Sequence, residues 1–232
     1  MAARRPRGEA PRPTGEELTA RMVGIGMNFA ARGETDADIE GTLVHASEAG
    51  MEEHDLRVLS VLTTWFGVHH AHVNADRLVR LVKAHGSARV RAWWAALARW
   101  QSKDRRFARL AVGHRGAALD LLPVGTAFQL GRRGEDERFR GSALRVPRGT
   151  LRDRADDVLS PEELVRLHAG YRNRVLMGPS WRADVWTALE KAPDVSVSEI
   201  ARRVSCSFAT AWEAAQDFKL LHSTRRTASP SA

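Results

Sequence analysis

The stretch Ser198-Glu-Ile-Ala-Arg-Arg-Val-Ser-Cys-Ser-Phe-Ala-Thr-Ala-Trp-Glu-Ala-Ala-Gln-Asp-Phe218 constrains the fold of this chain more than any other. It divides into two short amphipathic segments around Ser205-Cys206-Ser207. Ile200, Ala201 and Val204 recur on one helical face before the break, and Ala211, Ala214 and Ala215 on one face after it. Ala201 is small where two helices must approach, and Cys206 is placed as an apolar plug just past the turn. Ser196 followed three residues later by Glu199 has the spacing of a capping box and starts the first helix. Upstream, Trp181, Val185, Trp186 and Leu189 mark an independent amphipathic helix over Trp181–Lys191. Three such segments predict a helix-turn-helix with its supporting helix.

In a helix-turn-helix the second helix enters the major groove and its first turns face base edges. Here those turns carry Ser207, Phe208, Thr210, Trp212 and Gln216. Ser207, Thr210 and Gln216 supply hydrogen-bonding groups, and Phe208 suits a thymine methyl. Phosphate neutralisation falls to Arg202, Arg203 and Lys219, with Arg225, Arg226 or other parts of the chain. Glu213 and Asp217 oppose it. Phe208 and Trp212 equally fit an apolar patch that docks a protein.

The run Tyr171-Arg-Asn-Arg-Val-Leu-Met-Gly-Pro-Ser-Trp-Arg-Ala-Asp-Val-Trp-Thr-Ala-Leu-Glu, followed by Ser-Glu-Ile-Ala-Arg-Arg-Val, resembles bacterial winged-helix regulators. It is most similar to those encoded beside nucleotidyltransferase-type toxins, the AbiEi-like antitoxin group. The resemblance covers Val175 to His222. It implies transcription control on double-stranded DNA and a toxin as protein partner. Ser205 stands where that group has glycine, and the short segment after Leu221 leaves little room for a two-stranded wing.

A net charge of +8, carried almost wholly by arginine, favours polyanionic partners without specifying a fold. The one cysteine, Cys206, excludes an internal disulfide and a cysteine zinc site. No apolar run reaches membrane-spanning length, and the Arg- and Pro-rich start has no hydrophobic signal core, so a cytoplasmic protein without membrane contact is expected.

The expected architecture is mainly α. Residues 1–13, with four arginines among three prolines, read as a disordered basic arm. Residues 14–112 read as an N-terminal helical bundle. Thr14 caps a first helix (Leu18, Met22, Ile25, Phe29) that Gly33 stops; a second, from Asp36 to Glu48, ends at Gly50. A third runs from Glu52 to Val68, Asn74 and Ser87 cap the next two, and a short basic helix follows over Lys103–Ala111. Residues 113–159 read as a small antiparallel β-element, from the alternation in Thr126-Ala-Phe-Gln-Leu and Ala143-Leu-Arg-Val-Pro around the turn Gly131-Arg-Arg-Gly-Glu-Asp-Glu-Arg. Ser160-Pro161-Glu-Glu starts a helix reaching Met177, which opens the helix-turn-helix domain over 160–222; residues 223–232 read as a disordered tail.

Two further clusters invite function. Between Asp76 and Arg109, arginines and lysines interleave with Trp93, Trp94 and Trp100, which suits stacked single-stranded nucleic acid. Helical spacing of Val90, Trp93, Leu97 and Trp100 favours instead core tryptophans behind a solvated basic face. His69, His70 and His72 lack metal-ligand spacing and sit where a helix C-terminus attracts imidazoles. No P-loop, dinucleotide fingerprint or nucleophile elbow is present. The sequence thus predicts a non-enzymatic DNA-binding regulator without cofactor or metal. As a homodimer it would take half-sites about 34 Å apart. The alternative is an adaptor whose basic face docks an acidic protein.

Overall fold

A computed structural model describes residues 12–227, with side chains to His222. Most of the basic arm expected over 1–13, and the last five residues, lie outside this range. The chain is mainly helical: α1 Gly15–Gly24, α2 Ile39–Glu52, α3 Leu56–His69, α4 Ala75–Ala84, α5 Ala88–Trp100, α6 Ala108–Ala111, α7 Thr126–Arg133, α8 Pro161–Leu167, α9 Ala169–Met177, α10 Trp181–Lys191, α11 Val197–Arg203 and α12 Phe208–Thr227. The helix α12 therefore extends five residues into the expected tail.

The caps follow side-chain chemistry. Thr14 and Glu17 exchange the two bonds of a capping box at α1, as do Ser160 and Glu163 at α8. Asn74 and Ser87 accept amide N–H bonds at the starts of α4 and α5. Two glycines behave differently from expectation. The first helix ends at Gly24, well before Gly33, because the chain folds back there: a Cβ on Gly24 would lie 2.1 Å from the Glu34 carbonyl oxygen. The second helix runs straight through Gly50, whose missing side chain admits Leu59 of α3; a Cβ there would meet that leucine at 2.7 Å. Gly50 marks close packing of two helices and not a stop.

The middle segment corrects the β reading. Thr126-Ala-Phe-Gln-Leu is not a strand but the start of α7, bracketed by Gly125 (φ 79°) and Gly134 (φ 75°). Gly131, Arg132 and Arg133, expected in a turn, form its last residues. The sheet that does form is parallel and not antiparallel: β1 (Leu119–Asp120) pairs with β2 (Leu144–Arg145). The physical reason is the crossover. A tight hairpin reverses the chain, whereas a connection containing a helix returns it in the original direction. Leu121, Phe139, Leu144, Val146 and Leu151 of this segment are buried in the same core as the N-terminal helices, with Phe139 5.8 Å from Trp93.

That main core spans α1 to α9 and holds Trp65, Trp93 and Trp94 at zero exposure. The helix expected over 160–177 is split at His168, which closes α8 and caps α9. Its Nδ1 accepts the Tyr171 N–H and its Nε2 donates to the Ala37 carbonyl. A second core, formed by Val185, Trp186, Leu189, Ile200, Ala201, Val204, Ala211, Ala214, Ala215 and Phe218, joins α10, α11 and α12.

The two cores meet across a buried charge network. Arg174 of α9 reaches Glu40 of α2 at 2.7 Å and Asp184 of α10 at 2.7 Å, with all three side chains at most 7% exposed. Asn74 donates from its backbone N–H to Glu40 and from its side chain to Asp184, while its Oδ1 caps α4. The paired carboxylates keep the Arg174 guanidinium charged despite complete burial. Removing one partner leaves buried charge uncompensated. Arg174→Met is therefore expected to cost about 3–5 kcal/mol in urea unfolding.

His69 supplies a pH dependence. The Leu159 carbonyl can only accept, so Nε2 donates to it at 2.9 Å and Nδ1 accepts from the Tyr171 hydroxyl at 2.8 Å. Burial pushes this imidazole down to about 4. The unfolded chain gains a proton near pH 6.5 that the folded chain refuses. Stability is therefore full above about pH 6.5 and falls as pH drops toward about 4, by about 3 kcal/mol from this group. Urea midpoints measured across that window should decline, and His69→Gln should flatten the decline.

Candidate nucleic-acid interface

The second core presents an outer surface on α11 and α12. Ser196 accepts the Glu199 N–H at 3.3 Å and starts α11. The return bond of the expected capping box does not form, because the Glu199 carboxylate is engaged elsewhere. It accepts from Arg202 Nε at 3.1 Å and from Arg203 Nε at 2.8 Å. These bonds, Arg202's first, hold the Glu199 carboxyl below its ordinary range. The two arginines singled out for phosphate contact thus share one acid, and the trio carries a single net positive charge.

The bend after α11 is a Schellman motif. The Cys206 N–H donates to the Ala201 carbonyl at 2.9 Å and the Ser205 N–H to the Arg202 carbonyl at 3.2 Å. Ser205 adopts φ 58°, the left-handed conformation that this motif asks of its residue. That geometry explains why glycine suits the position. Cys206 is half-buried against the second core, and burial raises its thiol pKa. Ser207 then caps α12: its hydroxyl accepts the Thr210 N–H at 3.1 Å and bonds the Thr210 hydroxyl at 2.8 Å. These two hydroxyls, expected to face bases, are engaged in the cap, for which the signal is a serine directly ahead of the alanine-periodic run.

On α12, Ala211, Ala214, Ala215 and Phe218 are buried and hold the helix to α10 and α11. One flank of the helix beside this buried face is open. Phe208 is 56% and Trp212 49% exposed, and Gln216 and Lys219 are exposed as well. At helical rise and pitch these four residues form one continuous stripe about 17 Å long. Of the eight candidate residues, the structure brings these four into line, sets Ser207 and Thr210 at the stripe's beginning as a cap, and leaves Arg202 and Arg203 at the end of α11. The acid Asp217 is neutralised by Arg182 of α10, whose guanidinium also lies over Trp186 at 5.5 Å. Arg182 was missed because its partner is 35 residues away, with no local pattern to signal the pairing.

The other clusters resolve structurally. Trp93 and Trp94 are sealed in the core, so neither is a stacking platform. Trp100 is half-buried beside Gly67, where a Cβ would meet its ring at 2.8 Å. Several arginines of this segment brace the backbone: Arg89 donates to the Leu121 carbonyl, Arg91 to that of His85, and Arg106 to those of His70, Ala71 and Val73. His69 serves the core, while His72 packs on Tyr171 at 4.9 Å. A cleft of about 290 Å³ between the two cores has both signs of charge, internally paired as Arg77–Asp38 and Lys191–Asp36. Among the described residues no helix is long and apolar enough to cross a membrane.

Comparison of the chain with protein-family models, with curated proteins and with solved structures gives no match.

The bend generates a direct test. Ser205→Gly removes the left-handed penalty of a side chain at φ 58°. It is expected to stabilise the fold by about 0.5–1 kcal/mol, read as a higher thermal midpoint.

Proposed function

We propose that this protein is a DNA-binding transcriptional regulator in which α11 and α12 act as a helix-turn-helix and α12 lies in the major groove. The observation that carries this reading is the stripe Phe208–Trp212–Gln216–Lys219, exposed on a helix whose other side is fixed by alanines. Two large aromatic side chains stand in water at the start of a rigid helix, followed by an amide and a cation. The groove is about 12 Å wide and accepts one α-helix. Gln216 has the bidentate amide that reads adenine, and the aromatics supply apolar contact to thymine methyls. Pairing of Asp217 with Arg182 removes one of the two acids that would oppose phosphates. The resemblance of 175–222 to AbiEi-like antitoxins supports an antitoxin-like regulator held by a toxin through its other surfaces.

A second reading, an adaptor for an acidic protein, is favoured by one observation: Arg202 and Arg203 are both bound to Glu199. The same exposed aromatics would then act as interface anchors.

Selection of binding sites from a random duplex pool separates the two. The wild-type chain is expected to enrich a defined site, and Trp212→Ala/Gln216→Ala to lose at least about 10-fold in affinity for it, in line with loss of base contacts worth 1–3 kcal/mol each. Both positions are exposed, so the variant's thermal midpoint should stay unchanged. A wild-type chain that fails to retain duplex even at low salt rules out the regulator. Point variants are preferable to truncation after Pro179, which would strip Asp184 from Arg174.

A further inference from the structure

The helix α12 itself carries few cations, yet the main core sets one on α10, the helix that α12 packs against. Arg80 lies on α4, a helix of the main core, and is exposed. Its guanidinium lies over the Trp181 ring at 4.6 Å from the centroid. Trp181 is the first residue of α10, the helix against which α12 packs. The positive charge of Arg80 also reaches the Cys206 thiol, where it acts against the effect of burial. Cys206 lies two residues before Phe208, the start of the exposed stripe. Arg80 is thus held on the first residue of α10, the helix against which α12 packs, although a hundred residues separate Arg80 from Trp181 in sequence.

Its chemical state differs from that of its neighbours. Arg77 is paired with Asp38 at 2.8 Å, Arg106 with Asp104 at 2.6 Å, and Arg109 with Asp76. Arg80 makes no ion pair and no hydrogen bond among the described residues. A guanidinium held over an indole ring does not spend its N–H donors on that contact, which leaves them for a bidentate acceptor. Stacking also fixes the long side chain in advance, so less rotamer entropy is lost when a ligand arrives. An arginine seated on an aromatic ring at the start of α10, with no ion pair or hydrogen bond among the described residues, fits a planar or tetrahedral oxyanion on whatever the neighbouring α12 binds.

We propose that Arg80 is a backbone-phosphate contact of the DNA duplex that α12 reads, positioned by its stack on Trp181. The inference rests on the regulator reading above. It makes the DNA-contacting surface composite: α12 supplies the base-reading side chains and the main core supplies phosphate contact, with the Arg174 network keeping the two in register.

The test is the salt dependence of binding, measured by fluorescence anisotropy on the selected site and on a mixed-sequence duplex of about 21 base pairs, roughly two helical turns. Each phosphate contact adds about 0.9 to the slope of log affinity against log salt. Arg80→Gln should lower that slope by about 0.9 and weaken binding roughly 5–10-fold near 0.1 M salt, alike on both duplexes. Arg80→Lys should keep the slope. Arg57→Gln is the control for net charge, since Arg57 lies over Phe29 on α3 in a similar stack and should leave the slope within experimental scatter. If Arg80→Gln binds like wild type while Trp212→Ala/Gln216→Ala has lost the site, the phosphate role is refuted and the regulator reading stands. If Arg57→Gln reduces the slope as much as Arg80→Gln, the effect is bulk charge and the assignment fails. If the wild-type chain binds neither duplex at low salt, both readings fall together.

Discussion

Arg174 is the residue on which the arrangement of the molecule turns. Its guanidinium bridges Glu40 and Asp184, two carboxylates drawn from helices of different cores, with Arg77 also 3.8 Å from Glu40. Apolar packing is tolerant of small rotations, whereas a fork of directed N–H bonds between two buried acids is not. The hydrophobic burial of each core makes helices cohere. The buried ion set, with Asn74 satisfying the remaining acceptors, fixes where the second core sits on the first. The placement of α4 relative to α10 and its partner α12 depends on that junction.

Local signals were legible in the sequence where the deciding interaction is local. Thr14 with Glu17, Asn74, Ser87 and Ser160 with Glu163 announce their helices because a cap needs only residues within one turn. The Trp181–Lys191 helix and the faces of Ile200 and Ala211 follow from periodicity alone, and so does the burial of Trp93; Trp94, outside that spacing, is buried as well, while Trp100, inside it, is half-buried. Gly50 and Thr126–Leu130 misled the reading for the same reason. A glycine means a stop or a close approach, and only the position of Leu59 decides which. An alternating pentapeptide means a strand only when a sheet edge is there to receive it. Among the described residues no partner strand lies beside it, and two glycines of positive φ frame a helix instead.

The candidate interface was legible in part. The stripe through Phe208, Trp212 and Gln216 follows from counting residues on α12 once its alanines are assigned inward. The engagement of Arg202 and Arg203 by Glu199 leaves the expected capping box half-formed, since a carboxylate near both an amide and two guanidiniums takes the charged donors. The pairs Arg182–Asp217 and Arg80–Trp181 have no trace in local sequence. They arise from the packing of α10 against its neighbours, which no spacing rule encodes.

The glycine-framed helix α7 carries a consequence of its own. Only Thr126 of its residues is buried, while Phe128 is 68% and the preceding Val124 84% exposed. Little apolar area opposes its opening, so its amides belong among the fast-exchanging part of the molecule. Loop-like segments of this kind are where a limiting dose of protease first nicks a folded chain and where an inserted peptide is accommodated. A label placed there would leave both cores and the Arg174 junction undisturbed.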